Sequence, residues 1–384
     1  MSSNPEISKR FLTRLWKLEN EERPAFLVGF TGPKLKGGTP VRSALFSTEG
    51  KDTVRKRLLD PEKFLAAQLE EIEGQSRLRG DFVPALCPTL GVIAIPSAFG
   101  GEVVWWENDF PSVRPVIGDD PLRVKKLKMP SIRDGVLGRI LDYTRYFIER
   151  MEGRYPIRMA DVQGPVDNAA LIFGHTNFLE ALLVRPAEVR LLLDMATDLM
   201  ISFIREQRKL VKRMGAEFVP NGFQPWIPDG MGVSVANDAG VMLSPDLHDE
   251  FGVPYLNRLS DEFGGVYIHS CGNWTHLMAS LAKVRGLRGL EFGASETPFG
   301  PVAERFGGRT VLACRVGLHR DITFAGMADF IAKIKAQAKT CRGLFIHADI
   351  TNGIVGPDWP ETDLEEVYRI IGSPPSIFRG RLRP

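Results

Sequence analysis

Short apolar, β-branched runs alternate with long amphipathic stretches along most of the chain. The runs are Ala25–Phe30, Phe82–Leu86, Arg158–Val162, Val233–Ala236, Gly265–Ser270, Leu287–Phe292, Thr310–Val316 and Leu344–Ala348. Runs this short, bounded by turn residues, read as buried strands. Between them lie helical patterns. The longest predicted helix spans Ala187–Arg213, where Val189, Leu192, Leu193, Met195, Leu199, Met200, Phe203 and Ile204 recur at helical spacing on one broad face. Ser244-Pro245-Asp246 offers an N-cap, a proline at the first helical position and an early acid. That helix is expected to reach Phe263 and stop at Gly264-Gly265. Asp329–Lys339 precedes the last strand, and Glu361–Ile371 follows it.

Strand followed by helix, repeated, means parallel pairing through right-handed crossovers. Eight such units predict an α/β fold with a single closed (β/α)8 TIM barrel over residues 1–384. Residues 1–22 form an N-terminal helical extension. No Gly-rich phosphate fingerprint follows the first strand, which weakens the doubly wound alternative. Val92–Ile117 interrupts the pattern as a β insertion after the second strand: Val103–Trp106 and Val113–Ile117 around a polar turn. Asn221–Gly232 is a Pro/Gly-rich loop beside the fourth strand. In a barrel, loops after strands hold the chemistry.

Composition narrows the function. The 49 basic and 47 acidic residues leave a formal charge of +2, so the chain lacks the basic excess of a nucleic-acid binder. No run approaches the ~18 apolar residues of a membrane span. The start, MSSNPEISKR, has no apolar signal segment. Cys87, Cys271, Cys314 and Cys341 are too sparse for a disulfide scaffold. The expected location is the cytoplasm, with thiols that are buried, metal-binding or nucleophilic.

Gly265–Asn273, GVYIHSCGN, is the most informative segment. A strand ends at His269, skips one residue, presents Cys271 and turns at Gly272. Residues two apart in an extended strand share a face, so an imidazole and a thiol can aim at one point. That pair suits zinc. It equally fits a buried strand end, with the thiol packed as a small hydrophobe.

At these residues the chain resembles the uroporphyrinogen decarboxylase superfamily, which includes porphyrinogen decarboxylases and cobalamin-dependent methyltransferases. Asp161-Val-Gln-Gly164-Pro165 followed by Ala169-Ala170-Leu171 looks like the family's G-P segment. Leu243-Ser244-Pro245 with Glu250-Phe251 and Pro254-Tyr255 looks like its L-S-P helix. His269-Ser270-Cys271-Gly272 looks like the H-x-C-G signature of the methyltransferase branch. The resemblance implies a (β/α)8 barrel. True decarboxylases carry an Arg-rich segment after the first strand; here Gly29–Lys36 has no arginine. Their carboxylate after the second strand is also missing from Leu86–Leu90. The D-S-W-A-G-like segment is matched only in part by Ala236–Gly240.

The methyltransferase branch holds zinc with H-x-C plus a distant cysteine on the last strand. Here the alignment puts Asp349 at that place, so the resemblance implies His269, Cys271 and Asp349 as ligands, with His347 as the alternative third. Asp349 can instead cap the turn that follows it. Glu291 and Asp238 are the candidate catalytic or orienting acids. Phe30, Gln163, Trp226, Asn237 and His319 are expected to bind substrate. The implied function is a zinc-dependent methyltransferase that moves a methyl group between a small substrate, a methoxylated aromatic or a thiol, and a corrinoid on a separate corrinoid protein. A homodimer is compatible with this. The alternatives are a decarboxylase acting on uroporphyrinogen or another substrate, and a non-catalytic barrel that binds a tetrapyrrole or other ligand.

Overall fold

The computed structural model describes residues 4–31, 45, 52–317, 322–351 and 359–372. Ten strands lie among them: β1 (Ala25–Thr31), β2 (Val103–Val104), β3 (Ser112–Val113), β4 (Ile157–Arg158), β5 (Phe218–Val219), β6 (Val233–Ala236), β7 (Val266–His269), β8 (Leu287–Gly293), β9 (Val311–Arg315) and β10 (Leu344–Thr351). Six form a parallel sheet in the order β1-β10-β9-β8-β7-β6. The first and last strands of this sheet pair from Ala25↔Phe345 to Thr31↔Thr351. The fold is α/β, with helices between successive strands from β6 to β10.

A closed ring of eight strand ladders does not form among the described residues. β4 and β5 make a separate parallel pair. It is tied to the large sheet by the bond from Ser234 N to the Pro220 carbonyl. The expected second strand is reduced to one bridge, Leu86↔Ile157. Pro84 and Pro88 explain that reduction, because a proline has no N–H to offer a ladder. The expected strand Arg158–Val162 is likewise cut to two residues, and β5 is a strand the hydrophobic pattern does not reveal. The insertion after the second strand is a two-residue antiparallel pair, β2 with β3, shorter than expected.

The helix Pro186–Arg213 buries Val189, Leu192, Leu193, Leu199, Met200, Phe203 and Ile204, as the spacing predicts. The L-S-P segment is two helices, Pro245–Phe251 and Val253–Phe263, not one. Pro254 accounts for the break, since its ring clashes with the carbonyl four residues earlier. Ser244 caps the first, accepting a bond from Leu247 N, and Gly264 ends the second in the left-handed conformation (φ +80°). The last helix runs Leu364–Ile371, capped by Asp363.

The helix Pro5–Trp16 covers the N-terminal ends of the strands. Trp16 donates its indole N–H to the Trp226 carbonyl at 2.8 Å and meets Tyr267 edge-on, with ring centroids 5.3 Å apart. Asn20 bonds the Cys341 carbonyl and the Gly343 N–H, tying this extension to the start of β10.

Candidate metal centre

Strand register builds the site in two rows. Ala236, His269, Glu291 and Ala313 are partners across β6, β7, β8 and β9. Two residues further on, alternation repeats the same face with Asp238, Cys271, Gly293 and Arg315. Gly293 and Arg315 are themselves partners. A Cβ on Gly293 would lie 2.5 Å from the Gly317 Cα and 2.7 Å from Glu296 Oε2. From the same row the Arg315 guanidinium reaches Cys271 Sγ at 3.2 Å.

The first row fixes the imidazole. His269 Nδ1 lies 3.2 Å from Glu291 Oε2. Glu291 is buried and also meets Arg315 Nε at 3.7 Å and the Tyr267 hydroxyl at 3.4 Å. Burial alone would raise the Glu291 carboxyl, yet His269 and Arg315 hold it below the usual range. Burial disfavours the His269 imidazolium, but Glu291, Cys271 and Asp238 outweigh it and raise the His269 pKa well above its usual value. One face of the ring is covered: Phe223 stacks on it with centroids 4.6 Å apart and planes 14° from parallel.

The second row supplies the other donors. Cys271 Sγ is 3.5 Å from His269 Nε2. Asp238 Oδ1 accepts the Cys271 N–H at 2.6 Å and stands 3.8 Å from His269 Nε2. One donor atom each from Asp238, His269 and Cys271 falls within 4.8 Å of the others. Gly272 (φ +77°) turns the chain away after Cys271, and its N–H donates to Glu296 Oε2 at 3.3 Å.

This donor set fits zinc. Imidazole, thiolate and carboxylate are its ordinary ligands, and three of them leave a coordination position open. The carboxylate of Glu291 on Nδ1 leaves Nε2 as the nitrogen that faces the other donors, the usual support of a metal-binding histidine.

The third donor in the set is Asp238, and Asp349 is not a member. Asp238 leaves β6, the immediate neighbour of β7, whereas Asp349 lies on β10, three strands from β7. Asp349 is paired in register with Gly29, and His347 Nε2 would lie 3.2 Å from a Cβ on that glycine.

The expected substrate residues fare differently. Trp226 is buried, with its indole N–H on Glu217 Oε1 and its carbonyl on the Trp16 indole of the N-terminal helix. Asn237 is buried and turns its amide to His248, away from the donors. Gln163 sits at φ +56° and clamps Asp161, donating from Nε2 to both carboxylate oxygens at 3.1 and 2.9 Å. The Phe30 side chain and His319 lie outside the described residues. Burial pushes the Cys87 thiol up to about 11 and raises Cys314 too, so neither offers a ready thiolate.

Arg315, Phe223 and Tyr267 belong to the site, though the sequence reading passes over them. A lone arginine in the apolar run Thr310–Val316 is the signal that could have marked the first. Tyr267 stands two residues before His269 on the same strand face, and Phe223 depends on how the loop after β5 folds.

The profile of the family Uroporphyrinogen decarboxylase (URO-D) matches residues 59–313. The chain belongs to this family. A solved methyltransferase from Methanosarcina mazei has the same fold, at a TM-score of 0.63 and 16% identity over 95% of this chain and 97% of that one. A B12-independent methionine synthase from Shewanella sp. W3-18-1 aligns at a TM-score of 0.47 and 12% identity, over 91% of this chain and 97% of that one. No curated protein matches the sequence.

Proposed function

We propose that this protein is a zinc-dependent methyltransferase. It moves a methyl group between a small substrate, a methoxylated aromatic or a thiol, and a corrinoid carried by a separate protein. The observation that carries the reading is the convergence of His269, Cys271 and Asp238 within 4.8 Å. The family fold supports it: a (β/α)8 barrel keeps its chemistry at the C-terminal strand ends, where these three residues stand. Zinc held there supplies a Lewis acid for the oxygen or sulfur that gives up or receives the methyl group.

The chain's own residues have definable tasks. Glu291 accepts the Nδ1 proton of His269 and so presents Nε2 to the donor set. Arg315 donates to Cys271 Sγ and holds the sulfur in place beside His269. The Cys271 N–H holds Asp238 Oδ1 beside His269 Nε2. Phe223 keeps water off one face of the imidazole.

Uroporphyrinogen decarboxylation is the reaction of the family's name, and it calls for a basic pocket. Two arginines that face the interior, Arg158 and Arg315, are already engaged by loop carbonyls and by Glu291 with Cys271. Turnover of uroporphyrinogen in an anaerobic assay is therefore expected to be absent. The deciding experiment is metal analysis of protein purified under reducing conditions without chelator. Stoichiometric zinc that Cys271→Ala loses is the expected result. Wild-type protein that takes up no zinc sinks the methyltransferase reading.

A further inference from the structure

The loop Asn221–Trp226 turns inward and does not rim the mouth. Arg158 on β4 donates to the carbonyls of Asn221 (3.3 Å) and Phe223 and to Gln224 Oε1 (3.0 Å). From β7, the Tyr267 hydroxyl donates to the Gln224 carbonyl at 2.6 Å. The loop also bonds itself: Phe223 N donates to Asn221 Oδ1 at 2.7 Å, and Asn221 Nδ2 to the Pro225 carbonyl at 2.6 Å. Trp16 closes it from below through the Trp226 carbonyl. The loop is thus pinned to two separate strands and to the N-terminal helix. Its one ring that rises into the site is Phe223, parallel to the His269 imidazole.

We infer that this loop is the floor of the donor set and that Phe223 is a positioning residue for His269. An imidazole has two soft torsions. The Nδ1 bond to Glu291 fixes where one edge points, but rotation about that contact still swings Nε2 past Cys271 and Asp238. A ring stacked within 14° of parallel blocks that swing from one side. The floor also limits the depth of the site, so a reacting group meets His269 from the Cys271 side. The stacking is independent of any ion; its effect on metal affinity rests on the zinc reading above.

The test uses the full chain with Phe223→Leu, Phe223→Ala and Phe223→Tyr. The first readout needs no metal. The ring C–H resonances of His269, assigned by their loss in His269→Gln, are followed by NMR. A facing aromatic ring shifts them upfield, so they are expected to move downfield in the leucine and alanine variants and to stay in the tyrosine variant. The second readout is zinc affinity against a chromophoric chelator. Supporting partners of a metal-binding histidine are worth about 10–100-fold in affinity, so a loss of about tenfold is expected for leucine, with tyrosine unchanged. If alanine fails to fold, leucine and tyrosine carry the test. Unmoved resonances in Phe223→Leu overturn the inference, and so does unchanged affinity alongside unchanged thermal stability. Shifted resonances in a protein that binds no zinc keep the positioning role and remove the zinc function.

Discussion

Two strands of the large sheet end in the same spacing. β7 presents His269 and, two residues on, Cys271; β10 presents His347 and, two residues on, Asp349. Each pair shares a strand face. Among the described residues the first becomes part of a three-donor set and the second does not, and the two differ in their neighbours. β7 stands between β6, which brings Asp238, and β8, which brings Glu291 to the far side of the imidazole. β10 stands between β1, whose inward residue at that level is Gly29, and β9, which ends in Arg315. A glycine supplies neither a third donor nor a carboxylate for Nδ1. Spacing along one strand therefore nominates a pair, and register across strands decides whether it becomes a site.

Loss of the thiol should have the largest effect. Cys271→Ala is expected to remove stoichiometric zinc and methyl transfer, with the circular dichroism spectrum and melting temperature close to wild type, because the residue lies past the strand end. Retained zinc would show that the donors lie elsewhere. The comparison itself is sharpened by the third donor. Asp238→Ala is expected to weaken zinc binding by more than about tenfold, since it removes a donor and not merely a partner behind one. Asp349→Ala and His347→Ala should leave it within a fewfold. The reverse ranking, measured by chelator competition, would put β10 in the site and remove Asp238 from it.

Glu291 and Asp238 can be told apart by their surroundings. The Glu291 side chain is 9% exposed and Asp238 is 40% exposed. Removing the buried charge strands Arg315 and His269, so Glu291→Gln should cost a few kcal/mol of stability, on the order of 3–5 kcal/mol for one partner of a buried pair. The sign of its pH dependence follows from the lowered Glu291 pKa. Its contribution is present above the unfolded carboxylate value and is lost as pH falls through the lower folded value. Chemical denaturation from pH 7 downwards should show a steeper acid loss in wild type than in Glu291→Gln.

The smallest effect tests a histidine that takes no part in the donor set. His248 is buried between Ser280 Oγ, 2.7 Å from Nδ1, and Asn237 Nδ2, 3.2 Å from Nε2. Burial lowers its pKa to about 4. The unfolded chain binds this proton near pH 6.5 and the folded chain only near 4, so stability is full above 6.5 and falls between those values. The loss reaches about 3 kcal/mol at the acid end. His248→Gln should flatten that slope in urea titrations across the same range. An unchanged slope would mean that other groups dominate it.

Much of the fold was legible because the helices bury one face, which spaces their apolar residues, and the parallel strands bury both, which makes short continuous apolar runs. The helix Pro186–Arg213 and the strands β6 to β10 follow from that alone. The prolines of Phe82–Pro88 were visible too, but their effect on the ladder depends on which N–H groups the neighbouring strands need. His269 and Cys271 were legible because they share one strand. Asp238 was visible as a loop acid, and its place beside Cys271 needed the β6–β7 register. The floor was hidden for a different reason. Its prolines and glycine read as a surface loop, whereas Phe223, Trp226 and Ile227 make it too apolar to remain in water.

The pairing of β1 with β10 has a consequence for how the protein is made. Asn20 and Cys341, which bond each other, are 321 residues apart in sequence. At synthesis rates of about 5–20 residues per second, the first strand waits tens of seconds for its partner to be made. Throughout that interval Phe26, Leu27 and Val28, all buried in the finished sheet, have no β10 to cover their edge. That apolar edge stays uncovered until the chain is nearly complete, and contacts of such long range predict slow final closure.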